Sequence, residues 1–150
     1  MEPLFKTTTI YTYDEFKKFN AAVMKKRGAW TIIIGLEILF LLCNLILQTV
    51  WMWIFIAVYP IIFIVMKNIE IKKVYNSNKF AQDIEVNIDF YDTYFTVKTE
   101  NSDAKIEYDK LHTTIETKTN FYLMIAKNQG YMLSKENMSD EFQSFVRKIK

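Results

Sequence analysis

Two stretches decide how this chain reads: AWTIIIGLEILFLLCNLIL at residues 29–47 and VWMWIFIAVYPIIFIVM at residues 50–66, with only Gln48 and Thr49 between them. A helix crossing the roughly 30 Å hydrocarbon layer of a bilayer needs about 20 mainly apolar residues. The first run meets that length, and the second reaches it by borrowing its flanks or thinning the bilayer locally. A helix on the surface of a soluble domain carries an apolar stripe, whereas these runs are apolar nearly all round. A chain of 150 residues is too small to bury both helices in a core and still build another. The expectation is a transmembrane helical hairpin.

The flanks set its orientation. Lys25, Lys26 and Arg27 precede the first run, Lys67, Lys72 and Lys73 follow the second, and the connection carries no charge. Lys and Arg accumulate on the cytoplasmic side, so both termini are expected inside, with Trp30 at the inner interface and Trp51 and Trp53 near the outer one. The apolar segment begins too late for a cleavable signal peptide.

Charge is distributed to match. Residues 1–28 carry six Lys/Arg against three acids, residues 29–66 carry Glu37 alone, and residues 67–150 carry thirteen of each sign. The polar part is therefore balanced, which argues against nucleic acid as a partner. Cys43 is the only cysteine and lies within the first run, so no disulfide can form inside the chain.

The remainder divides into an N-terminal segment (1–28), a connector or helix extension (67–82) and a C-terminal domain (83–150). Residues 4–11 are rich in β-branched and aromatic side chains and read as a strand. Thr12 then caps a helix with Asp14 and Glu15 in its first turn. Tyr13, Phe16, Phe19, Val23 and Met24 gather on one face of that helix, which either lies on the inner leaflet or packs on the C-terminal domain. After Lys79 the period becomes two. Ile84, Val86, Ile88 and Phe90 alternate with polar residues, and further strands are expected at 94–99, 105–108, 111–117, 121–125 and 131–133. Ser139 caps a closing helix whose Phe142, Phe145, Val146 and Ile149 share one face. The predicted fold class is α+β: a two-helix transmembrane hairpin plus a small cytoplasmic antiparallel β-barrel or sheet capped by a C-terminal helix.

This layout resembles the YcxB-like family of bacterial membrane proteins over nearly the whole chain. The resemblance rests on the opening strand, the TYDEF entry to a helix and the KKR-flanked hairpin. It rests also on IDFYDTYFTV, IEYDKLHTTIETKTNFYLMI and YMLSKENM. Ser134-Lys135 stands where family members often have Pro-Lys. The resemblance implies location in a bacterial cell membrane as a multi-pass protein, and a cytoplasmic domain similar to pleckstrin-homology folds. Those usually have seven strands, so residues 4–11 could supply the seventh across the hairpin. It implies no reaction.

Glu37 is the sharpest local anomaly. An ionised acid near the middle of a span costs roughly 2.5–3.5 kcal/mol on insertion scales. Asn44 lies two turns on, along the same helix face, and Tyr59 on the second run is a candidate partner. These three residues form a candidate intramembrane polar seam. It reads as a protonated acid bonded within the hairpin, a contact joining protomers of a homo-oligomer, or an ion relay. Pro60 bends the second helix. His112, the only histidine, falls on the polar side of its strand. One His and one Cys build neither a typical zinc site nor a catalytic pair, and three glycines leave no phosphate loop. No catalytic residue, metal or cofactor is expected, and no enzyme. The leading functional expectation is a membrane-tethered binding or adaptor module that presents a sheet edge or loop rim to a protein or a lipid headgroup. The alternatives are an oligomeric channel or transporter-like protein, and a membrane immunity or antitoxin protein.

Overall fold

The computed structural model of the chain describes residues 2–77 and 82–149. Its strand order crosses the apolar hairpin. Strand β1 (Phe5–Ile10) runs antiparallel to β2 (Glu85–Phe90), with Phe5 opposite Phe90 and Ile10 opposite Glu85. Strands β3 (Tyr94–Thr99) and β4 (Ser102–Glu107) extend the sheet in the order β1-β2-β3-β4. A second sheet, in the order β5-β6-β7, holds β5 (Thr113–Glu116), β6 (Asn120–Ala126) and β7 (Gln129–Ser134). The opening strand thus supplies a seventh strand to a domain otherwise encoded after the hairpin.

Alternation explains the layers. Val86, Ile88 and Phe90 are buried while Glu85 and Asn87 are exposed, and Phe95 and Val97 turn inward from β3. Helix α4 (Asp140–Lys148) closes this core with Phe142 and Val146, and the Ser139 hydroxyl accepts the Phe142 N–H at its start. Phe142 stacks on Phe5 at 4.7 Å and meets Phe90 edge-on at 5.0 Å. One aromatic therefore joins the first strand, the second strand and the last helix.

Of the barrel or sheet expected from the sequence, the described residues form antiparallel sheets and no closed barrel. Among the described residues β1 and β7 form no ladder; side chains bridge them instead. The Ser134 N–H donates to Thr9 Oγ1 at 3.3 Å, Asn137 Nδ2 donates to the Thr8 carbonyl at 2.8 Å, and the Met132 N–H donates to the Tyr11 hydroxyl at 2.9 Å. Groups that would pair across a ladder are already taken. Strand β4 also begins earlier than expected. The turn lies at residues 100–101, Ser102 pairs with Thr99, and Tyr108 leaves the strand for a 3-10 turn, donating its hydroxyl to the Tyr91 carbonyl at 2.6 Å.

Helix α1 (Tyr13–Lys26) packs on the domain, which resolves the two readings of its apolar face. Phe19, Ala22 and Val23 meet Tyr122, Met124 and Met132 in a second buried cluster. Gly28, with φ 71, turns the chain out of α1 into α2 (Ala29–Leu47). After Gln48, also left-handed, α3 runs from Val50 to Ser77, so most of the proposed connector continues the helix; residues 78–81 lie outside the described part. Both helices are long and apolar enough to cross a membrane. Only 11% of the apolar window of α2 and 0% of that of α3 is buried by the rest of the chain. So large an uncovered apolar surface favours membrane association.

A polar pair in the hairpin and a groove beside the first strand

Residues 37, 40 and 44 follow the i, i+3, i+7 spacing of one helix face. Phe40 identifies what that face meets, because its ring lies 6.1 Å from Phe55 and 6.3 Å from Tyr59, both edge-on. Glu37 and Asn44 bracket Phe40 on the α3 side of α2. Both carboxylate oxygens of Glu37, and both amide atoms of Asn44, are buried without a hydrogen-bond partner. Asn44 is only 3% exposed. Tyr59 reaches the same interface, but through its ring against Phe40, and the hydrogen bond expected between it and Glu37 is not made. The seam residues are thus gathered but not joined. Buried polar groups without partners are costly, and more so in hydrocarbon.

The other singled-out groups are dispersed. His112 is exposed, with its backbone N–H bonded to the Met124 carbonyl at 2.7 Å. Cys43 lies half-buried in α2. Glu107 pairs with Lys110 at 2.9 Å. Glu116 takes Lys135 at 2.7 Å and Arg147 at 2.9 Å, and these cations hold its carboxyl down at about 2. That cluster ties α4 to β5, which is a structural task. Among the described residues, no three His, Cys, Asp or Glu side chains gather to hold a metal ion.

A feature with no local signature lies where the two sheets fail to join. A groove of about 630 Å³ runs beside β1, lined by residues 6–10 of that strand, Thr12 and Glu15 at the start of α1, Ser134 at the end of β7 and Asn137 just beyond it. The Thr7 hydroxyl is buried beside it without a partner. On one flank Glu15 accepts from Lys18 and from the carboxamide of Asn120, which is 1% exposed. The groove was not legible in sequence because its walls come from opposite ends of the chain, and neither wall carries a motif.

Residues 90–149 match the family model described as YcxB-like protein. They span β3 to β7 and α4, so this part of the chain is similar to the YcxB-like family. No curated protein and no solved structure matches the chain.

Proposed function

We propose that this YcxB-like chain is a membrane-tethered binding module. The α2–α3 hairpin crosses the bacterial cell membrane twice, both termini are cytoplasmic, and the β domain binds an extended segment of a partner protein in the groove beside β1. The pairing of β1 with β2 across the hairpin carries this reading. Those strands precede and follow the apolar helices, and they can share a sheet only on one side of a bilayer. Two crossings satisfy that condition, and one does not. The Lys and Arg flanking both ends of the hairpin favour the inner side. Seven strands in two sheets with a terminal helix support likening the domain to pleckstrin-homology folds. Such scaffolds serve many functions, so the groove rather than the fold suggests the task.

In-cell photocrosslinking from the intact protein tests the reading. Probes at Lys6 and Asn137, which line the groove, are expected to capture a distinct protein. A probe at Lys105, on β4 in the same domain, is not. Capture of the same proteins from all three positions, or of none from the groove, overturns it.

A second reading rests on the unpartnered Glu37 and Asn44. Polar side chains inside a bilayer join helices of neighbouring protomers, so this pair would hold a homo-oligomer together. Glu37→Leu would then convert oligomer to monomer in gentle detergent, read by light scattering. An unchanged mass sinks it.

A further inference from the structure

Where α1 gives way to α2, the chain passes within three residues from Lys26 and Arg27 to Ala29, the first residue of an apolar helix. Beside that junction is a cavity of about 480 Å³, lined on one side by Val23, Lys26 and Arg27 and on the other by His112, Ile115 and Lys127 among others. It contains three cations, one imidazole and no acid. Lys26, Arg27 and Lys127 are exposed and make no ion pair among the described residues, as is true of several other lysines; what sets these three apart is that they line one cavity without an acid. Arg27 is nevertheless held in place: its Nη1 donates to Asn128 Oδ1 at 2.7 Å, linking the end of α1 to the β6–β7 turn. Val23, Ile115 and Met124 supply an apolar wall. A second hollow, lined by Lys25, Lys26, Trp30, Glu116 and Lys118 among others, shares Lys26 and Ile115 with it.

Cations that line one cavity repel one another, and an anion among them relieves that repulsion. An anion that also meets apolar wall at the start of a membrane helix is an amphiphile. We infer that this cavity binds the phosphate headgroup of an anionic phospholipid, with Lys26, Arg27 and Lys127 around the phosphate and the acyl chains running into the bilayer beside α2. The lipid fixes the height and tilt of the domain on the membrane, so the groove beside β1 faces the cytoplasm in one orientation. Solvated lysines near a bilayer are common as topology signals. Here the positive-inside rule accounts for Lys26 and Arg27, but not for Lys127, which arrives from the β6–β7 turn a hundred residues later.

The inference rests on α2 entering the bilayer, as proposed above. Carbonate extraction of cell membranes tests that premise separately: release of the intact protein into the soluble fraction would overturn both readings. For the site, the full chain in mild detergent is titrated with phosphatidylglycerol, phosphatidylcholine or inorganic phosphate and read by native mass spectrometry. One phosphatidylglycerol is expected to be retained per chain in preference to phosphatidylcholine. The double variant Lys26→Gln/Lys127→Gln should weaken it about tenfold or more, given the usual effect of juxtamembrane cations. Lys26→Arg/Lys127→Arg should restore it, which separates a charge requirement from misfolding. Lys98→Gln/Lys105→Gln, on the other sheet, removes the same charge and should leave binding unchanged. Equal loss in that control, equal retention of phosphatidylcholine, or binding of inorganic phosphate as strong as that of the lipid overturns the proposal.

Discussion

Single residues show how closely the domain is packed. A Cβ at Gly130 would lie 2.7 Å from the Leu123 carbonyl oxygen and 2.9 Å from Met124 Sδ, so backbone on the neighbouring strand has to yield. Gly130→Ala should lower stability by about 1–3 kcal/mol, as overpacking does, measured by thermal unfolding of the full chain in detergent. Gly35 has nothing within 4 Å of the same position, and Gly35→Ala should be neutral or mildly stabilising. Glu116 adds a pH dependence. Its folded-state carboxyl is lowered from 4.5 to about 2, first by the Arg147 hydrogen bond and then by that of Lys135. A depressed carboxylate stabilises the fold above its ordinary value, and that contribution is lost as pH falls from 4.5 towards about 2. The side chain is 39% exposed, so solvent screening keeps the effect small. Glu116→Gln should flatten the acid limb of the unfolding midpoint in that window, and an acid limb identical to that of the parent protein would remove Glu116 from the account.

At the scale of elements, α3 does more than extend the hairpin. Beyond the apolar stretch, Ile71 and Tyr75 are buried. The Tyr75 ring contacts Tyr13 at 5.5 Å and Phe16 at 5.6 Å, and its hydroxyl donates to the Tyr11 carbonyl at 3.2 Å. Tyr75 therefore docks the end of the hairpin onto the start of α1 and holds the domain against the hairpin. Tyr75→Ala should cost roughly 3 kcal/mol, in the range for removing a buried aromatic. It should also speed amide hydrogen exchange in the first turn of α1. Tyr75→Phe keeps the rings and loses only the hydroxyl bonds, so its cost should be about 1 kcal/mol. Exchange in α1 that is unchanged by Tyr75→Ala would mean the docking does not order that helix. The periodic spacing of α1 showed an apolar face but not its destination, because a sheet and a membrane surface make the same demand on a helix.

At the scale of the whole molecule, the apolar hairpin interrupts a single domain. Phe5 stacks on Phe142, β1 pairs with β2, and α1 covers Tyr122, Met124 and Met132. Residues 82–149 alone should therefore fail to fold, lacking an edge strand and a covering helix. Residues 2–28 joined to 82–149 by a flexible linker should give a water-soluble domain with dispersed amide resonances; a well-folded 82–149 fragment would refute this. The hairpin, the amphipathic helices with their caps, and most strand positions follow from local patterns in the chain. Length, apolar period and capping chemistry act among near neighbours, so they can be read without coordinates. The sequence also marked Glu37, Asn44 and Tyr59, since a polar side chain is conspicuous in an apolar run. Folding in three dimensions set the rest: β1 completes the later sheet, β1 and β7 leave a groove instead of a closed barrel, and Tyr59 turns its ring to Phe40 without bonding Glu37. It alone brought Lys127 beside Lys26 and Arg27. These outcomes depend on contacts between residues from opposite ends of the chain, and their partners are chosen by packing and hydrogen-bond competition across the folded chain, which no local pattern encodes.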